Sequence, residues 1–131
     1  MASQAILIVD DNQINLKLVR LLLESEDYAV RTAADAEEAL VLIEDSVPRL
    51  ILMDLQLPGM DGLELTRRLK SDPRTSACII VAVTAYAMKG DQERAKSAGC
   101  DGYIPKPIDT RTLPAVIAGF LSQSDVTGGA P

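Results

Sequence analysis

Asp10 and Asp11 stand side by side after the apolar run Ala5–Val9, and Asp54 directly follows a second apolar run, Leu50–Met53. Thr84 closes a third, Ile79–Val83, and Lys106 comes just after the short run Gly102–Ile104. A carboxylate can serve as a nucleophile, a metal ligand or a proton carrier. A hydroxyl can donate one hydrogen bond, and a lysine supplies a compact positive charge. The chain has no histidine. That excludes Ser/His/Asp and Cys/His catalysis and the usual His-containing zinc sites. Any chemistry must come from carboxylates, lysine, hydroxyls and a metal. Taken singly, these residues are unremarkable: an Asp pair after a strand is commonly a helix cap, a strand-end Thr a turn former, a Lys-Pro a loop. Their meaning depends on whether the chain brings them together.

Five apolar, β-branched runs recur: Ala5–Val9, Ala29–Ala33, Leu50–Met53, Ile79–Val83 and Gly102–Ile104. The first, third and fourth are continuously apolar, as parallel strands buried on both faces require. Helical periodicity fills the intervals. Ile14, Leu18, Leu21 and Leu22 fall on one face of the first helix. Ala39, Leu40 and Ile43 do so in the second, after an Asp35-x-x-Glu38 start that resembles a capping box. The third opens Asp61-x-x-Glu64 and carries Leu65 and Leu69. The fifth carries the stripe Leu113, Val116, Ile117, Phe120 and Leu121, with Pro114 expected in its first turn, where a lost N–H matters least. The fourth, around Gly90–Ala98, has no large apolar side chain, and Gly99 is placed to cap it. Such a helix is weakly anchored by packing: it is either a solvated surface helix or a movable one.

The order is strand then helix, five times, without repeat or internal linker. Right-handed crossovers turn it into an α/β, doubly wound parallel sheet with helices on both faces. Ligands in such sheets bind at the carboxyl ends of the strands. Asp10, Asp11, Asp54, Thr84 and Lys106 all lie at those ends, so they can converge. Three carboxylates at one spot repel: two charges 4 Å apart cost roughly 4 kcal/mol at an effective dielectric of about 20. Either some protonate or a cation sits among them. Hard oxygen donors without His or Cys point to Mg²⁺, with Mn²⁺ an acceptable substitute. A carboxylate nucleophile, a metal and a fixed cation constitute a phosphoryl-transfer site.

The 131 residues suit one domain, expected over 1–122, and the Ser, Gly, Thr and Pro composition of 123–131 reads as a disordered tail. With 19 acidic and 13 basic residues the net charge is −6, a poor match for nucleic acid. No apolar run approaches the roughly 20 residues needed to cross a bilayer, and no signal-peptide pattern opens the chain, so the expected location is the cytoplasm, away from membranes. Cys78 and Cys100 lack CxxC spacing and read as buried reduced thiols.

Over roughly residues 5–121 the sequence resembles bacterial two-component response regulator receiver domains. The matching pieces are Ile-Val-Asp-Asp-Asn (8–12), Leu-Met-Asp-Leu-Gln-Leu-Pro-Gly-Met-Asp-Gly (52–62), Val-Thr-Ala (83–85) and Tyr-Ile-Pro-Lys-Pro (103–107). The resemblance implies a flavodoxin-like (βα)₅ receiver fold with strand order 2-1-3-4-5. It implies that Asp54 is the phosphoacceptor, Asp11 the direct Mg²⁺ ligand, Asp10 a ligand largely through water, and the Gln56 carbonyl a further ligand. Asp54 itself also belongs to the metal set. Thr84 and Lys106 would grip the phosphoryl group, with Thr84 and Tyr103 as switch residues and a cis Lys106–Pro107 bond. Gln56 and Tyr86, two residues beyond Asp54 and Thr84, would tune dephosphorylation.

The segments 11–15, 84–91 and 98–103 are similar to two subgroups: single-domain regulators of the chemotaxis or cell-cycle polarity type, and the receiver modules of hybrid histidine kinases. The implied function is a phosphorelay acceptor, not an enzyme acting on other substrates. It would take phosphate from a histidine kinase or histidine phosphotransfer protein. It would then bind a downstream target protein differently, as a monomer or a weak phosphorylation-dependent dimer, without a DNA-binding output. Two other classes fare poorly. A small-molecule phosphatase working through an aspartyl-phosphate wants Asp-x-Asp-x-Thr after strand one, and the residues here are Asp10-Asp11-Asn12-Gln13. A flavin carrier wants a hydroxyl- and Gly-rich loop there and stacking aromatics, against an aromatic content of 3%.

Overall fold

A computed structural model describes residues 4–55, 62–84, 89–106 and 108–129 of the chain. Its elements alternate: β1 (Ala5–Val9), α1 (Gln13–Glu24), β2 (Ala29–Ala33), α2 (Ala36–Asp45), β3 (Leu50–Asp54), α3 (Gly62–Ser71), β4 (Ile79–Thr84), α4 (Lys89–Ala98), β5 (Gly102–Pro105) and α5 (Leu113–Gly129). The five strands are parallel, in the order β2-β1-β3-β4-β5.

Side-chain alternation along the strands builds two cores. Ile6, Ile8, Leu50, Leu52, Val81 and Val83 face one side and meet Leu16, Val19 and Leu23 of α1 and Leu113, Ile117 and Leu121 of α5. Their neighbours Leu7, Val9, Ile51, Met53 and Ile80 face the other side, against Ala36, Ala39 and Ile43 of α2 and Leu65 and Leu69 of α3. This explains why β1, β3 and β4 read as unbroken apolar runs. Each fully buried Leu or Ile contributes about 1.5–3 kcal/mol. On α2, Asp35 caps the helix by accepting from the Glu38 N–H at 2.8 Å, as the capping-box spacing predicts. Pro114 is the second residue of α5.

One expectation changes. The face of α1 carrying Ile14, Leu18 and Leu21 is not the packed one. Those three are 78%, 51% and 55% exposed, and Leu16, Val19 and Leu23 point into the core. At about 100° per residue the two stripes lie on opposite sides of the helix. Leu22, between them, is half-buried against the core. Because apolar residues of α1 fall on both stripes, periodicity alone did not set which one is packed. The Asn12 cap fixes where the helix starts, its Oδ1 accepting from the Ile14 and Asn15 N–H groups at 3.0 and 3.1 Å, and docking on the sheet selects the buried face. The backbone of α5 is helical to Gly129. Extending an already nucleated, docked helix adds a hydrogen bond per residue at little cost.

Candidate functional site

The site grows from the strand ends. Asp10 follows β1, and its N–H still donates to Ala33 O of β2 at 3.0 Å. Asp54 is the last residue of β3, and the Leu55 N–H after it donates to Val83 O of β4 at 3.0 Å. Thr84 ends β4, and its carbonyl accepts from the Lys106 N–H at 2.7 Å. Continued ladder bonding thus ties the end of β1 to β2, and the ends of β3, β4 and β5 to one another. Asp10, Asp54 and Thr84 are 4%, 1% and 2% exposed, an unusual depth for polar side chains.

The carboxylates of Asp10, Asp11 and Asp54 can each bring an oxygen within 4.8 Å of the others, with Asp11 at the exposed lip. Lys106 reaches across to donate to Asp54 Oδ2 at 3.1 Å, and its Nζ is 3.9 Å from Asp10 Oδ2. Asp10 Oδ1 accepts the Asn12 N–H at 2.8 Å. Burial pushes the Asp10 carboxyl above its ordinary range; the Asn12 N–H and then Lys106 oppose this, and Asp54 adds to it. With all groups ionised, three carboxylates and one ammonium sum to −3 + 1 = −2. A divalent cation would cancel that charge, and an all-oxygen donor set with one exposed member suits Mg²⁺, which keeps part of its water shell. The residues present fit such an ion.

Of the residues expected at the site, Asp10, Asp11, Asp54 and Lys106 come together, and Thr84 stands beside Asp54 at the neighbouring strand end. Tyr103 lies on β5, opposite Ala82. Gln56, Tyr86, Asp61 and the Lys106–Pro107 bond fall outside the described residues. Three supporting residues escaped the sequence reading. Asn12 both caps α1 and holds Asp10. Gly62 presses against the backbone of the site: a Cβ there would collide with Asp54 O and lie 2.9 Å from Leu55 Cα. Thr66, fully buried, donates from Oγ1 to Gly62 O at 2.7 Å and so fixes the first turn of α3. The glycine at 62, eight residues after Asp54, was the one available signal.

A parallel sheet in this order, with acidic and lysine side chains gathered at its carboxyl edge, is the arrangement expected of a signalling receiver. A family model described as the response regulator receiver domain matches residues 6–118, and the chain belongs to that family, which serves two-component signalling. It is 42% identical over 122 residues to the polar-differentiation response regulator DivK of Brucella ovis, covering 93% of this chain and 99% of that one. Among solved structures, a CheY-like response regulator receiver domain protein of Methanospirillum hungatei superposes with a TM-score of 0.87 at 35% identity, over 94% of this chain and 97% of that one. The receiver domain of a sensor histidine kinase of Pseudomonas aeruginosa, with a magnesium ion coordinated in its active site cleft, gives 0.84 at 33% identity, over 92% and 99%. Among the described residues no helix is long and apolar enough to cross a membrane.

Proposed function

We propose that the protein accepts a phosphoryl group on Asp54 from a phosphohistidine and signals through altered protein binding. The observation that carries this reading is the buried Asp54 carboxylate held 3.1 Å from Lys106 beside Asp10 and Asp11. Asp54 attacks the phosphorus; the new O–P bond replaces the P–N bond, and the electron pair returns to the imidazole nitrogen. A Mg²⁺ held by Asp11 and Asp54 directly, by Asp10 through water, and by the Gln56 carbonyl would offset charge on the phosphoryl oxygens. Lys106 and the Thr84 hydroxyl take the remaining oxygens. Water attack on the phosphorus later returns the free carboxylate and phosphate. As the family resemblance implies, the side chains at Gln56 and Tyr86 tune how long the phosphorylated state lasts.

The donor is a histidine kinase or a histidine phosphotransfer protein. The exposed stripe Ile14, Leu18 and Leu21 of α1, flanked by Lys17 and Arg20, suits docking of a donor helix. Output runs through α4, β5 and α5: Thr84 shifts toward the phosphoryl group and Tyr103 fills the space it leaves. That is a population shift between two packings. The protein works in the cytoplasm as a monomer or a weak phosphorylation-dependent dimer, with residues 1–122 as the functional domain and no nucleic-acid partner.

Incubation with acetyl phosphate and Mg²⁺, followed by intact-mass measurement, tests the reading. We expect one added phosphoryl group, lost in Asp54→Ala and without Mg²⁺. An unchanged mass gain in Asp54→Ala would overturn the assignment.

A further inference from the structure

Five polar side chains are buried among the described residues. Asp10, Asp54 and Thr84 stand at the strand-end site, and Thr75 closes the turn after α3 by donating to Leu69 O. The fifth is Thr66, in the second turn of α3 and 0% exposed. Valine has the same branched shape and would fill this place in the core as well. The hydroxyl needs a separate reason, because burying it costs free energy unless it is hydrogen-bonded. Helix stability does not supply that reason. Threonine is a weaker helix former than leucine or alanine, and a hydroxyl bonded back to the carbonyl four residues earlier tends to bend a helix.

Thr66 Oγ1 makes that backward bond, donating to Gly62 O at 2.7 Å. In the regular helical pattern the same carbonyl also takes the Thr66 N–H. Cys100 Sγ lies 3.9 Å from Thr66 Oγ1. Burial pushes the Cys100 thiol above its ordinary range, with the Thr66 contact opposing, so the thiol has a proton to give to Oγ1. The hydroxyl proton is then left for Gly62 O. Beyond Gly62 lies the phosphoacceptor strand. A Cβ on Gly62 would collide with Asp54 O, lie 2.9 Å from Leu55 Cα and lie 3.1 Å from Asp54 C. The first residue of α3 thus rests on the Asp54–Leu55 peptide. From the sheet, β4 holds the same peptide, the Leu55 N–H donating to Val83 O at 3.0 Å. This clamp sets the direction in which Asp54 carries its carboxylate, which faces Lys106 at 3.1 Å.

We propose that Thr66 is a positioning residue for Asp54: its hydroxyl seats the first turn of α3 on the Asp54–Leu55 peptide and so holds the carboxylate in line with the incoming phosphoryl group. The inference rests on the phosphoacceptor reading above. Thr66 acts through Gly62 and the Asp54 backbone, without reaching the reacting atoms itself. Its loss should therefore be felt in the rate of transfer and not in the capture of the donor. A misplacement of about 1 Å caused far from the chemistry can cost about 100-fold, and a peptide still pinned by β4 moves less, which corresponds to about tenfold.

Phosphorylation of the full chain by acetyl phosphate with Mg²⁺, followed by intact mass over a range of donor concentrations, separates the maximal rate from the half-saturating concentration. Thr66→Val keeps the shape and removes the hydroxyl. It should lower the maximal rate by about tenfold and change the half-saturating concentration by less than about twofold, and Thr66→Ser should bring the rate back to within about twofold of the parent. The fluorine NMR signals of beryllofluoride bound at Asp54 should shift in Thr66→Val and return in Thr66→Ser. Leu69→Ala, later in the same helix and also buried, controls for lost stability. It should keep the maximal rate within about twofold of the parent. Should Thr66→Val fail to fold, Thr66→Ala removes the same hydroxyl without added bulk and should show the same split. A variant without the hydroxyl that is phosphorylated at the parent's rate would overturn the proposal. So would a Thr66→Ser protein no faster than Thr66→Val, or an equal slowing in Leu69→Ala. If the unaltered protein gains the phosphoryl mass and the Thr66 variants keep pace, only the proposal falls; if the unaltered protein gains no mass, the phosphoacceptor reading falls and the proposal with it.

Discussion

Replacing Asp54 with asparagine should stabilise the metal-free protein while abolishing phosphorylation. Lys106 Nζ lies 3.1 Å from Asp54 Oδ2, and oxygens of Asp10 and Asp11 lie within 4.8 Å. At an effective dielectric of about 20, the attraction to Lys106 is roughly 5 kcal/mol and the repulsion from Asp10 at least roughly 3.5 kcal/mol. Asp11 is exposed, so solvent reduces its share to that of a surface pair. The pairwise contributions come close to cancelling. What remains is the burial of a carboxylate whose side chain is only 2% exposed, which costs several kcal/mol even after relaxation. In the variant Lys106 still has Asp10 at 3.9 Å. A net gain of roughly 1–3 kcal/mol is expected, or about 3–5 °C in Tm per kcal/mol for a chain of this size. Urea unfolding in EDTA, followed by far-UV circular dichroism because the chain has no tryptophan, measures it. Mg²⁺ should narrow or reverse the order. Binding at 100 times Kd adds about 2.7 kcal/mol to the unaltered protein and less to a variant short of one ligand. An Asp54→Asn protein less stable than its parent in EDTA would refute the claim that the site holds its carboxylates against mutual repulsion and burial.

Gly62→Ala should cost about 1–3 kcal/mol by overpacking against Asp54 O and Leu55 Cα, and should slow phosphorylation by about tenfold or more. Acetyl phosphate kinetics beside urea unfolding check both numbers. On α1, Leu16→Ala should cost about 2–5 kcal/mol and Leu18→Ala no more than about 0.5 kcal/mol, because only Leu16 is in the core; equal losses would restore the face read from periodicity. Burial pushes the Cys78 thiol up to about 12, from 9.0. The folded state thus keeps a proton that the unfolded state releases, so this thiol's contribution is intact below pH 9 and falls as pH rises from 9 toward 12. In a Cys100→Ser background, native protein at pH 8 should leave a thiol reagent unreacted until urea is added.

Much of this molecule is legible in one dimension. The strands begin where the apolar runs begin, because burial on both faces of a parallel sheet leaves no room for polar residues inside β1, β3 and β4. Asp54 and Thr84, expected at the ends of their strands, close β3 and β4 as their last members. The carboxylate site follows from the same logic, since the polar residues that end the runs must share one edge. Strand order and family rested on resemblance to known motifs, not on periodicity. Only the tertiary structure decided which way α1 turns. Its sequence offers two opposed apolar stripes, and the Asn12 cap and the sheet select Leu16, Val19 and Leu23. Only the fold brings Lys106 to Asp54, 52 residues away, and Lys70 to Asp101, 31 residues away. Local spacing encodes dihedral angles and the face on which a side chain falls. It does not encode how close two backbones pass, and the bare glycine at 62 acquires its role only when α3 packs onto the end of β3.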